Sequence, residues 1–511
     1  MKGLPSRRVI SIRDILFCSI STVLLILSFP RVGLWPLAWI AFVPIFIVAS
    51  DKKLFSRFLY FYIFGVIFFF GTLYWLIHVT LVGMIALVLY LAIYFGLFGL
   101  FISGHQSLVT SLFWLPAVWV LLEYARSHML TGFCWVILGH SQYLNLPIIQ
   151  ISDLTGAYGV SFLLMIVNVA VWQVFSEPRA KSQGSRIRAC LIACILIFAT
   201  LIYGYFRLHQ KIKGQKVRIS IVQGNIPQEL KWVQEEKEKI LEKHISLSMQ
   251  AKKDNPDLVI WPETAMPVVL ELDPFLFNAV SNLAKEIKIP LLTGTMRFES
   301  KNYFNSALLF SEEGKVIQHY DKLHLVPFGE YIPLRQPFVF LERLAPIDDF
   351  TAGKDYAVFH VARPSSRQPP FKFSVLICFE DIFPELARSF VKKGAGFLVN
   401  ITNDAWFKDT AAPCQHLQSS VFRAVENRVF LIRSANTGVS GFISPKGKII
   451  SLVKDNKGKS TYVSGYDTQE IIIPAKRYFS FYTRFGDIFA LICLVIAFLV
   501  IIKKGKFEIL I

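Results

Sequence analysis

Ahead of residue 210 the chain is a succession of apolar stretches too long and too closely spaced for a water-soluble fold. Seven are recognisable: roughly Ile15 to Phe29, Leu34 to Ala49, Phe58 to Leu76, Leu81 to Ile102, Leu108 to Leu122, Tyr158 to Phe175 and Ala189 to Phe206. An eighth runs from about Phe485 to Ile502. Most approach the ~20 apolar residues that a helix needs to cross a hydrocarbon core, and those near Ile15 and Leu34 are the shortest. Of the 511 residues 54% are hydrophobic and 18% charged, which excludes an ordinary soluble protein. The expectation is a multi-pass α-helical membrane domain of about eight spans.

The first stretch has a basic start (Lys2, Arg7, Arg8, Arg13), as a signal peptide does. However, Ser28-Phe29-Pro30-Arg31 is not a small-residue cleavage site and another apolar stretch follows at once, so a retained helix is expected. With eight spans, Lys52, Lys53 and Arg57, then Arg179, Lys181, Arg186 and Arg188, and finally Lys503, Lys504 and Lys506 fall on one side. The turn Ile77 to Thr80, without Lys or Arg, falls on the other. Basic residues collect on the cytoplasmic side. Both termini are then cytoplasmic and the block from about Gln210 to Tyr482 lies outside. The net charge of +18 reads as topology and lipid-headgroup contact, since no nucleic-acid motif accompanies it. Between spans, Thr131 to Gln142 is apolar but Gly-broken, either a re-entrant segment or a packing loop. Glu123 and Arg126, at i and i+3 before it, are spaced to pair with each other.

After Gln210 the pattern changes to alternating strands and helices. Strands are expected at Val217 to Gln223, Leu258 to Trp261, Pro290 to Thr293, Ser306 to Phe310, Lys315 to Tyr320, Phe397 to Ile401 and Val429 to Ser434. Helices are expected at Trp232 to Lys253, Pro274 to Ile287, Phe383 to Lys392 and Gln415 to Asn427, with a hairpin over Ser440 to Ile450. This is enough chain for one α/β domain with a mixed sheet covered by helices. The expected division is therefore 1–209 membrane domain, 210–482 outer domain, and 483–511 a last span with a cytoplasmic tail.

Within that domain Phe373 to Asp381 is an apolar run that delivers Cys378 and then Glu380 and Asp381. A lone cysteine in a strand is more often inert core than nucleophile. Two other segments change that balance. Leu258 to Glu263 is a second buried strand that ends in Pro262-Glu263, and Tyr320 to Glu330 places Lys322 and Glu330 around a Pro/Gly turn. A carboxylate can take the thiol proton, the thiolate can attack a carbonyl, and the lysine can stabilise the oxyanion. Cys414, the rival thiol, opens a helix with no carboxylate and lysine nearby in sequence. No paired histidine spacing appears, so no metal and no cofactor are expected.

The order Trp261-Pro262-Glu263, then Asp321-Lys322-Leu323-His324, then Cys378-Phe379-Glu380 resembles the nitrilase superfamily, with its Glu-Lys-Cys triad and αββα sandwich. Gln223-Gly224-Asn225-Ile226-Pro227-Gln228, Lys231-Trp232, Asn305-Ser306, Asn403 to Phe407, Gln415-His416 and Arg423 to Arg428, with Thr131-Gly132-Phe133 and Tyr158 to Ser161 in the membrane half, carry a further resemblance, over almost the whole chain, to the bacterial apolipoprotein N-acyltransferases. It implies an enzyme of the bacterial inner membrane, with its catalytic domain in the periplasm, that moves an acyl chain from a phospholipid to the N-terminal amine of a diacylglyceryl-modified apolipoprotein. Glu263, Lys322 and Cys378 would be the catalytic residues, with Glu330, Glu380, Phe379 and Asn305 in support. Trp232, Phe328 and Trp406 would meet substrate or form a lid. Phe379 stands where tyrosine often follows the nucleophile, and Lys408 where glycine is common. Rival readings from the residues are a membrane-tethered amidase using the same triad, and a transporter or scaffold. Strongly charged residues are scarce in the spans, which speaks against a transport pathway.

Overall fold

The computed structural model describes residues 11–102, 108–175, 183–331, 350–362, 369–475 and 479–508. Lys2, Arg7, Arg8, Arg179 and Lys181, used above for topology, lie outside them. The chain divides into two compact units, Met1–Leu208 with Asp487–Ile511, and His209–Gly486.

The first unit contains α1 (Ile12–Leu27), α2 (Val43–Ala49), α3 (Leu54–Leu73), α4 (Leu81–Leu100), α5 (Leu108–His128), α6 (Ala157–Phe175), α7 (Gln183–His209) and a C-terminal helix, Ile488–Glu508. Among the described residues four helices are long and apolar enough to cross a membrane: Leu54–His78, Leu81–Leu100, Ala157–Phe175 and Arg186–His209. Length and apolarity alone therefore mark four of the expected spans, and the other stretches fall short of that measure for local reasons. α1 has 16 residues and carries Asp14, paired with Lys52 at 2.5 Å. The second stretch is broken into a 3-10 turn, Trp35–Trp39, and then α2, each opening on a proline. α5 carries Pro116, Glu123 and Arg126, and the C-terminal helix contributes a shorter apolar stretch, Ile488–Val500.

Packing in this unit is largely aromatic. Phe42 meets Phe64 and Trp119 edge-on at 5.4 and 4.9 Å, an arrangement that ring quadrupoles favour. α3 and α4 approach closely because Gly99 faces α3; a Cβ there would lie 2.5 Å from the Arg57 carbonyl. Asn168 accepts from Phe42 N–H and donates to the Ala38 carbonyl, which satisfies the backbone where the second stretch breaks. The segment after α5 is buried from Cys134 to Gln142. Glu123 accepts from Leu138 N–H at 2.7 Å and Arg126 donates to the Trp135 carbonyl at 3.0 Å. Both charges thus serve the backbone of this irregular packing segment.

Among the described residues the second unit holds twelve strands in two sheets. One sheet runs in the order β12 (Gly465–Pro474), β1 (Gly214–Gln223), β2 (Leu258–Ile260), β3 (Leu291–Glu299), β4 (Asn302–Phe310), β5 (Val316–Asp321). The other runs β11 (Ile449–Leu452), β10 (Gly441–Ile443), β9 (Leu431–Ala435), β8 (Phe397–Thr402), β7 (Phe371–Ile377), β6 (Phe359–Val361). Helices α8 (Lys237–Ala251) and α9 (Pro274–Ile287) cover the first sheet, where Leu241, Leu276 and Leu283 pack with Val259, Leu291 and Leu308. Helices α10 (Pro384–Lys393) and α11 (Ala412–Asn427) belong to the second. The sheets meet where the Ser434 hydroxyl, on β9, donates to the carbonyls of Val222 and Ile260 at 3.1 and 3.3 Å. This is a nitrilase-like α/β sandwich. Two strands escaped the sequence reading, the short edge strand β6 and β12, which pairs antiparallel with β1 over its full length. The charged helix starts at Lys237, later than expected, after a single turn at Gln228–Lys231.

Candidate active site

β7 ends at Ile377 and the next residue, Cys378, has φ +56° before a 3-10 turn runs Cys378–Ile382. A side chain in that left-handed region is strained and persists only when its surroundings hold it. Here Glu380 accepts from Ile377 N–H at 2.7 Å, and Asn400 donates to the Cys378 carbonyl at 2.8 Å. The thiol is presented, half-buried, at the C-terminal end of a parallel strand.

Glu263 follows β2 in a turn whose next residue, Thr264, has φ +46°. The turn fits because Gly294, on β3, lacks a Cβ, which would lie 2.6 Å from Pro262 O and Thr264 N. The Glu263 carboxylate accepts from Asn305 Nδ2 at 2.8 Å and from Asn403 N–H at 2.7 Å. Lys322, just past β5 and 1% exposed, lies 2.9 Å from Glu330 and 3.9 Å from Glu263. Asn305, on β4, donates from the same Nδ2 to Glu330 at 2.7 Å. Lysine, two carboxylates and one amide therefore form a single polar chain.

Glu380 ties this chain to the cysteine. Besides Ile377 N–H its carboxylate accepts from Tyr320 OH at 2.9 Å, Leu323 N–H at 2.7 Å and His324 N–H at 3.0 Å. Burial pushes Glu380 up to about 7 against these hydrogen bonds and the charge of Lys322. Burial also pulls the Lys322 ammonium down, but Glu330, Cys378 and Glu263 outweigh it and hold it above its ordinary range. The Cys378 thiol is pushed well up, by burial first and the Glu263 charge second, with Lys322 drawing it partly back. A thiol in that state stays protonated until a base removes its proton.

Phe379 is half-buried, with Lys322 Nζ 5.3 Å from its ring centre. The His324 ring stacks on Phe383 at 3.9 Å, a packing contact. Trp232, Phe328 and Trp406 are 48%, 40% and 50% exposed. Cys414 lies in the first turn of α11.

Two groups near the site were given no role from sequence, though Lys231 and His416 fall in the segments that carry the resemblance. Lys231, 2% exposed, donates to the Glu263 carbonyl at 3.1 Å. Behind the cysteine, His416 on α11 bridges Asp381 at 2.7 Å and Asp404 at 3.0 Å, and Arg433 on β9 reaches Asp381 at 2.8 Å. Burial lowers His416, yet the two carboxylates raise it to about 9. Their partners lie 12 to 52 residues away along the chain, so local pattern carries no sign of the pairing. The network fixes the Asn403-Asp404 turn, which delivers the Asn403 N–H to Glu263.

Comparison with known proteins bears on both units. Residues 21–170 match the family model described as apolipoprotein N-acyltransferase N-terminal domain, and residues 218–470 match that of carbon-nitrogen hydrolase. An apolipoprotein N-acyltransferase of Geobacter metallireducens is 37% identical, over 96% of this chain and 95% of its own. One from Chlorobaculum tepidum is 30% identical over 92% of each chain. A third, from Haemophilus influenzae, is 30% identical over 85% of this chain and 86% of its own. By identity and coverage along nearly its whole length, this chain belongs to the apolipoprotein N-acyltransferase family.

Proposed function

We propose that the chain transfers an acyl group from a membrane phospholipid, through a thioester on Cys378, to the N-terminal amine of diacylglyceryl-modified apolipoproteins. The observation that carries this reading is the polar chain Lys322, Glu330, Asn305 and Glu263 beside a strained, protonated Cys378, within a chain whose other unit is apolar and helical. In the first half-reaction Glu263 takes the thiol proton, the S–C bond forms, the ester C–O bond breaks, and Glu263 returns the proton to the lyso-lipid alkoxide. In the second, the acceptor amine attacks the thioester, a C–N bond forms and the C–S bond breaks. Its proton passes through Glu263 back to the Cys378 sulfur. Lys322 and the N–H of Phe379 stabilise the tetrahedral oxyanion of each step. Glu330 and Asn305 orient Lys322 and Glu263, and Glu380 holds the cysteine strand to the lysine segment. Trp232, Phe328 and Trp406 contact the acyl chains. Neither hydrolysis nor a scaffold role gains support from the named relatives.

The test is donor lipid alone, followed by mass spectrometry of the protein. An acyl adduct on Cys378 with release of lyso-lipid, discharged by added acceptor, is expected. Release of free acid without an adduct would point to a hydrolase instead.

The same reading places the protein in a bacterial inner membrane with about eight spans, both termini cytoplasmic and the catalytic unit periplasmic. A reporter that works only outside the cytoplasm is expected to be active when fused after residue 215 and silent after 183. The reverse pattern would overturn the orientation.

A further inference from the structure

A short helix, α12 (Phe481–Phe485), closes the second unit and is divided by face. Tyr482, Thr483 and Gly486 are buried, whereas Phe481, Arg484 and Phe485, at i, i+3 and i+4, are exposed together. The buried face is fastened to the domain. The Ser480 hydroxyl donates to the Glu426 carbonyl at 2.5 Å and Thr483 Oγ1 donates to Asn427 Oδ1 at 3.0 Å, both at the end of α11. Arg388, on α10, donates to the carbonyls of Tyr482, Thr483 and Arg484 at 3.2, 3.0 and 2.9 Å, which satisfies the last turn of α12. Gly486 then turns the chain at φ +66°, where a Cβ would lie 3.1 Å from the Arg388 guanidinium carbon. α11 also carries Arg423, which donates to the Ile382 carbonyl at 3.0 Å, so α12 is fixed to the helix that holds the end of the cysteine turn.

This mounting holds two phenyl rings outward, 43% and 55% exposed and 4.6 Å apart. Rings held in water forgo the burial that ordinarily stabilises them. Among the described residues the Arg484 side chain on the same face has no ion pair. What covers the face follows from the course of the chain. The apolar stretch Ile488–Val500 begins three residues after Phe485, at most about 10 Å of extended chain. A headgroup layer is roughly 5–8 Å deep, so α12 lies at that layer. We propose that Phe481, Arg484 and Phe485 form a phospholipid-binding face: the two rings enter the boundary between headgroups and acyl chains, and the Arg484 guanidinium takes a lipid phosphate. The face anchors the catalytic unit to the bilayer surface. This goes beyond the acyl transfer proposed above and rests on that reading only for the helix from Ile488 lying in a bilayer.

The test is photo-crosslinking of the full-length protein in nanodiscs of phosphatidylethanolamine and phosphatidylglycerol, followed by digestion and mass spectrometry. Phe481→benzoylphenylalanine and Phe485→benzoylphenylalanine, made singly at exposed positions, are each expected to carry a phospholipid adduct. Phe498→benzoylphenylalanine, at a residue 60% exposed on the C-terminal helix, tests the bilayer placement separately. Lipid adducts at Phe498 but none at Phe481 and Phe485, or crosslinks from those two to another segment of the chain, overturn the proposal. No lipid adduct at Phe498 overturns the span itself, and the anchor with it. Arg484→Gln is expected to lower the ratio of phosphatidylglycerol to phosphatidylethanolamine among the Phe481 and Phe485 adducts by about fivefold, the effect of one basic side chain at an anionic surface. Arg484→Lys should restore that ratio. A ratio unchanged by Arg484→Gln overturns the phosphate contact.

Discussion

Cys378→Ala is expected to give no acyl adduct with donor lipid and no transfer to acceptor. The loss should be on the order of a million-fold, the scale seen when the nucleophile is removed from an acyl-transfer site. The variant should still fold, because the left-handed turn is held by Glu380 and Asn400 through backbone atoms rather than through sulfur. Cys378→Ser is expected to acylate slowly, since Glu263 must then generate an alkoxide equivalent from a far weaker acid. Mass spectrometry and a transfer assay on the same preparations check both. Full transfer by the alanine enzyme would eliminate the covalent route.

Lys322→Met is expected to slow both half-reactions by about 100- to 1000-fold, because each passes through an oxyanion and loses the same donor. It also strands Glu330, 8% exposed, without its ammonium. Breaking a buried pair from one side costs roughly 3–5 kcal/mol, so the melting temperature should fall as well. The double variant Lys322→Met/Glu330→Gln separates the two effects. It should recover most of the stability and none of the rate. Recovery of rate in the double variant would assign Lys322 to structure alone.

The three segments that carry Glu263, Lys322 and Cys378 were legible because each couples a short apolar strand to a reactive side chain at its end, a pattern compact enough to read locally. Glu330 was legible beside Lys322 around the Pro/Gly turn, whereas Asn305 was reached through resemblance; their shared hydrogen bond depends on how β4 lies beside the turn after β5. Lys231 was quoted only as part of the resemblance and given no role, because nothing local shows that the turn at Gln228–Lys231 folds its amine inward. His416, Asp381, Asp404 and Arg433 come from four separate segments, and only the closed fold pairs them. In the membrane unit hydropathy marked the apolar stretches, but not the prolines and polar side chains that shorten or break them.

Glu263, Asn305 and Lys322 extend from one sheet, whereas Cys378 and the Asn403 amide extend from the other. During biosynthesis the strands of the first sheet from β1 to β5 emerge well before the cysteine. Until β7 and β8 dock against them, Cys378 has neither a base nor a cation at hand and behaves as an ordinary, sluggish thiol. General-base activation of the sulfur is thereby tied to completion of the domain.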